Sequence, residues 1–188
     1  MANKDAAFGF RPVRHLTGGL IRTNEYPIAA NYGTSIFQGQ CVIAVTAGGI
    51  EAAAAGNVIV GVFGGCFFTH PTTGKPTFSN HYPASTNASD IVAQVYDDPR
   101  IVFEVQHDGT GTAALNFSGL DLVGTGGSTI TGRSSQEIDS DSNGTSGQFK
   151  QIGISKDPNN SDTSSANCNV YVIPNVAEHS YLLTTALA

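Results

Sequence analysis

A chain of 188 residues that is 40% hydrophobic can bury a substantial core within one domain. Its charged fraction of 13% and formal charge of −6 leave no dense basic cluster of the kind that phosphate backbones require, and no apolar run approaches the roughly 20 residues of a membrane-crossing helix. Neither a nucleic-acid nor a membrane partner is therefore expected. With 22 glycines, no Trp and many Ser and Thr, the predicted fold is all-β: a small β-barrel or sandwich body, an extended N-terminal arm and long Gly/Ser/Thr-rich loops.

The first stretch, "MANKDAAFGFRPVRHLTGG", follows neither a strand nor a helix period, and Gly9, Pro12, Gly18 and Gly19 interrupt both. Residues 1–28 are predicted to form an extended arm preceding a single β-rich domain at 29–188. The arm holds four cations against two acids, a net +2, whereas the remainder carries −8. Phe8, Phe10, Pro12, Val13 and Leu16 are apolar without periodicity and, with Arg11 and Arg14, are expected to lie on another surface, either that of their own domain or that of a neighbour. The start lacks the apolar core of a secretory signal, which points to synthesis in a cytoplasm.

A strand block follows. "GQCVIAVTAGGIEAAAAGNVIVGVFGGCFF" alternates β-branched runs with glycine turns, and "EAAAA" is read as a short connector. A continuous apolar run such as "VIVGVF" is expected where both faces of a strand are covered. "THPTTGKPTFSNHYPASTN" is predicted to be a long surface loop. "DIVAQVY" and "RIVFEVQ" are predicted to pair as a hairpin about the turn at residues 97–100. Short strands are expected near 114–117 and 120–123, and the last core strands in "QFKQIGIS" and "CNVYVIP".

Candidate chemistry is sparse. Cys41, Cys66 and Cys168 are odd in number and widely spaced, so they are read as buried free thiols. Cys66, His70, His81 and His107 lack metal-site spacing, and His15 and His179 are read as hydrogen-bonding surface groups. In "DSDSNGTSGQFK", Asp139, Asp141, Asn143 and Gly144 match the start of a calcium loop, but Lys150 stands at the twelfth position, so a solvated turn is preferred over a weak divalent site. "GTGGST" lacks a following helix to bind phosphate, and no nucleophile elbow or phosphate loop occurs. No enzymatic activity, cofactor or metal is expected.

"MANKDAAFGFRPVRHL", the strand block, "VYDDPRIVFEVQ" and the late "QFKQIGISKDPNNSD" with "NVYVIPNVAEH" together resemble the capsid decoration, or cement, proteins of tailed bacteriophages. The resemblance implies a β-rich body, commonly a homotrimer, seated on the capsid exterior where major capsid protein subunits meet. In that setting the arm residues Phe8, Phe10, Arg11, Pro12, Val13, Arg14 and Leu16 become the expected capsid or neighbour contacts. The rival expectation is a carbohydrate-binding or host-adhesion module of a head fibre or tail, with Phe78 and Tyr82 as its candidate aromatics.

Overall fold

Short β-branched and aromatic runs bounded by glycine turns build a fold of antiparallel sheets, seen in a computed structural model that describes residues 2–142 and 144–182. The strands are β1 (Arg11–His15), β2 (Asn24–Pro27), β3 (Ile36–Phe37), β4 (Cys41–Ala44), β5 (Ile50–Ala52), β6 (Gly61–Thr69), β7 (Pro76–Ser79) and β8 (His81–Tyr82). They continue with β9 (Val92–Tyr96), β10 (Ile101–Gln106), β11 (Gly119–Leu120), β12 (Leu122–Val123), β13 (Glu137–Ile138), β14 (Phe149–Ile154) and β15 (Asn169–Pro174). Among the described residues helix is confined to two single 3-10 turns, so the fold is all-β.

Two larger sheets organise the chain, ordered β1-β10-β15-β14-β11 and β2-β9-β6-β4-β5, with β7 added on β6. Two small pairs, β12-β13 and β3-β8, complete it; no sheet closes, so the arrangement is sandwich-like and not a barrel. Phe103, Phe149 and Val172 of the five-stranded sheet share one core with Cys41 and Val62 of the six-stranded sheet. On the opposite face, Val42, Phe63, Ala93 and Val95 form a second core with Ile36 of β3 and Tyr82 of β8. The six-stranded sheet is thus a middle layer. Neighbouring Val62 and Phe63 point into different cores, which is the physical reason the run through β6 carries apolar residues without alternation. Gly61 serves close approach: a Cβ there would lie 2.2 Å from the Tyr96 carbonyl oxygen.

Three expectations are corrected. β9 and β10 do not form a hairpin ladder; the chain crosses between sheets at residues 97–100, β9 pairing with β6 and β10 with β15. The segment 69–90 is not one long loop, since β7 pairs with β6 and β8 with β3. Residues 113–115 form a 3-10 turn instead of beginning a strand.

The predicted arm is extended and lies on its own body, one of the two surfaces expected for it, and its pairing runs on to residue 27 without a break from the sheets. β1 pairs with β10 at one sheet's edge, and β2 pairs with β9 at the edge of the other. Residues 11–27 therefore run as a strap along the crossing made by β9 and β10. Ahead of the strap, Phe10 is 1% exposed and stacked on Phe149 with ring centroids 4.4 Å apart. Gly9 permits that entry: its φ is +74°, and a Cβ would meet the Gly39 oxygen at 2.6 Å. Further back, Asn3 donates to the carbonyls of Asp162 and Ala166, each at 2.8 Å, and the Lys4 carbonyl accepts from Gln106 and Asn160.

Candidate docking surface

The strap brings together most of the residues expected to make contacts, but not all. Phe10 belongs to the core and cannot be a docking group. Phe8 is half-buried beneath the Arg11 guanidinium, 4.9 Å from its ring centroid, and Arg11 also pairs with the buried Glu104. Pro12 is half-buried at the start of a bulge. Val13, Arg14 and Leu16 face solvent, Leu16 at 48% exposure, and Leu20, absent from the expected set, reaches 84%. Pro12, the bulge and the two arginines blunt β1 as an edge for further strand pairing, so contact here would come from side chains.

Where the strap turns from β1 to β2 it walls a cleft of about 430 Å³ lined by His15, Leu20, Arg22, Asp97, Arg100 and Tyr181, among others. Asp97, 4% exposed, accepts from the Tyr26 hydroxyl at 2.5 Å, the Tyr181 hydroxyl at 2.7 Å and the Asn24 amide at 2.9 Å. These donors come from β2 and from the segment after β15, so the carboxylate works as a latch joining those two segments to the crossing. Beside it, the His15 Nε2 lies 3.0 Å from Asp98. Burial opposes ionisation of Asp98, but the Arg100 backbone N–H and the His15 ring hold its carboxyl below the usual range.

His179 is fully buried, contrary to the surface position expected for it; burial lowers its pKa, its Nδ1 accepts from the Tyr181 N–H, and its Nε2 has no partner among the described residues. His15 is also mostly covered, its side chain 8% exposed. His107 is buried against Gln151, whereas the His70 ring accepts from two backbone N–H groups of its own turn and His81 stacks on Phe37. All three cysteines are free and buried, and desolvation pushes the Cys66 thiol up to about 12. Among the described residues no group of three or more His, Cys, Asp or Glu side chains is arranged to hold a metal. Asn143 of the calcium-like string lies outside the described residues; Asp139 accepts from the Asp141 N–H at 2.8 Å, an ordinary turn contact.

Two features carry no composition or motif signal. Buried glutamines tie loops to sheets: Gln148 donates to the carbonyls of Ala54 and Asn57, and Gln136 accepts from Cys41 and donates to Ala53. Phe117 holds a left-handed φ of 71° while 76% exposed, its N–H donating to the Gln151 carbonyl at 2.8 Å. Of the two loop aromatics singled out for sugar contact, Tyr82 is fully buried and Phe78 is 84% exposed, paired with Phe67 at 4.8 Å. No known protein family, curated protein or solved structure matches the chain.

Proposed function

We propose that this chain is a non-enzymatic structural protein of a tailed-phage virion, which decorates and stabilises the capsid exterior by binding the major capsid protein at subunit junctions. The observation that carries the reading is the strap: it is locked to both sheets by backbone pairing yet presents Val13, Leu16 and Leu20 to solvent. Apolar side chains held rigidly outward have already lost the freedom that binding would otherwise cost, and many copies on one shell add their contacts. The sequence resemblance supplies the identity of the shell. On this reading the chain acts as a homotrimer.

The test is a low-resolution map of the intact particle, combined with light scattering of the purified protein. Density at capsid three-fold positions and a trimer in solution are expected; a shell that carries no copies of the chain overturns the reading. One observation favours the adhesion module as a second reading, namely the exposed Phe78 backed by the half-buried Phe67 on the β6–β7 hairpin, a ring that could face a sugar. That alternative places density on fibres or tail instead.

A further inference from the structure

Alternate residues from Ala2 to Phe8 line a cleft of about 470 Å³, as an extended backbone places them. It shares no lining residue with the cleft at the turn of the strap. Three buried amides meet there from three separate segments: Gln106 closes β10, Asn160 lies in the loop between β14 and β15, and Asn169 opens β15.

Hydrogen bonding fixes the orientation of each amide and shows which atoms are left over. Gln106 is spent: its Oε1 accepts from the Ala6 N–H, and its Nε2 donates to the Lys4 and Asn167 carbonyls and to Asn169 Oδ1. Asn160 Nδ2 donates to the same two carbonyls, at 2.8 and 2.7 Å, which leaves its Oδ1 as an acceptor. Asn169 has its Oδ1 engaged by Gln106, which leaves its Nδ2 as a donor. Asn160 is 6% and Asn169 3% exposed, yet neither leftover atom has a partner among the described residues and neither is sealed from solvent. Part of the little surface each residue keeps is therefore its unspent amide atom, at the wall of the cleft that both line. Amides so buried, so fixed and still unspent are uncommon, because native chains pair most of their buried polar groups.

We propose that this cleft binds a neutral saccharide about two sugar units long. A sugar hydroxyl both donates and accepts, so it uses an amide N–H and an amide oxygen together. The half-buried Asp157 adds a stronger acceptor, since only one of its carboxylate oxygens is engaged, by the Asn159 N–H. Phe8, held under the Arg11 guanidinium, contributes an apolar wall suited to the C–H face of a pyranose. The volume falls within the range of about 300–1,000 Å³ typical of small-molecule sites. An anion fits worse, because Arg11 is already paired with Glu104 and Asp157 places a negative charge in the wall. A peptide strand also fits worse, because the Lys4 carbonyl and the Ala6 N–H are bonded to Gln106 and are not open for strand pairing. The site goes beyond the decoration reading and makes no use of it, and it lies apart from the Phe78 hairpin of the adhesion reading.

The experiment titrates isotope-labelled full-length protein with maltose, lactose, cellobiose and N,N'-diacetylchitobiose, followed by nuclear magnetic resonance. Each sugar is taken to about 20 mM, enough to saturate a site with a dissociation constant of about 1 mM. At least one sugar should shift the side-chain amide signals of Asn160 and Asn169 saturably, while the amide of Gln148, tied to Ala54 and Asn57, stays in place. Asp157→Asn should melt within about 2 °C of wild type yet bind that sugar at least about 5-fold more weakly, which separates loss of the acceptor charge from loss of the fold. Phe8→Ala should weaken binding by at least about 5-fold as well. No shift at Asn160 and Asn169 with any of these sugars overturns the site, as does unchanged affinity in both variants. Shifts confined to Phe78 and its neighbours also overturn it and place the sugar on the hairpin. Inorganic phosphate or trialanine moving the same amides at lower concentration than any sugar overturns the saccharide class. None of these results depends on shells, so the decoration reading stands or falls separately.

Discussion

Phe10→Ala tests most directly whether the N-terminal segment belongs to the body. The side chain is 1% exposed, stacked on Phe149 at an interplanar angle of 20°, and shares a core with Phe103 and Val172. Removing a fully buried phenyl group costs about 3–5 kcal/mol, combining lost transfer energy with the cavity left behind. The loss of a stacked aromatic partner places the expectation in the upper half of that range. For a chain of 188 residues each kcal/mol moves the midpoint by about 2–4 °C, so thermal unfolding followed by circular dichroism should show a drop of about 8–20 °C. Leu16→Ala, on the exposed strap, should stay within about 0.5 kcal/mol of wild type. A Phe10→Ala protein that melts within about 3 °C of wild type would refute the reasoning, because residues ahead of the strap could not then be part of the core.

Glu137 is half-buried, and burial first, then Asp5 and Asp108, push its carboxyl from 4.5 to about 7. Between those values the folded state keeps a proton that the unfolded chain releases, so stability falls as pH rises from 4.5 through 7. With solvent screening the difference is about 1–2 kcal/mol, and the Glu137→Gln variant in denaturant titrations should remove that component of the slope. Asp97→Asn weakens bonds from two tyrosines and Asn24 to a charged acceptor, with an expected cost of about 2–3 kcal/mol and faster hydrogen exchange at residues 24–27. The three buried thiols should react with an aromatic disulfide reagent roughly 100-fold more slowly in the native protein than in denaturant, and one fast native thiol would show that a cysteine is exposed.

Much of the fold was legible because strand grammar is local. Glycine turns and β-branched runs marked β4, β6, β9, β10, β14 and β15, and the unbroken apolar character of β6 correctly signalled coverage on both faces. Pairing was less legible because it depends on where a chain goes after a turn. "VYDDPRIVFEVQ" has the local pattern of a hairpin, but Gly61 admits the Tyr96 backbone so closely to β6 that β9 stays with the middle layer while β10 leaves it. The start of the chain lacked a period because it serves three environments in turn: Phe10 enters a core, Val13 rides a bulge, and Leu20 sits on the turn between sheets. Within the docking surface Arg14, Val13 and Leu16 were legible as uncommitted side chains. The exposure of Phe117 was not legible, since an apolar residue in "ALNFSG" reads as strand until its backbone angle is known.

The strap also sets an order on the ribosome. Arg11 is 93 residues from Glu104, its partner across β1 and β10, and at about 5–20 residues per second the wait between their appearances is roughly 5–20 s. Phe10 must wait longer still for Phe149. Throughout that interval the nascent N-terminus emerges with two phenylalanines and no partner strand, available to chaperones or to other nascent chains on the same message. Such distant pairings also slow closure once synthesis ends. Yield of soluble protein should therefore depend on how quickly translation reaches residue 172, where the strand that backs β10 is complete enough to hold it.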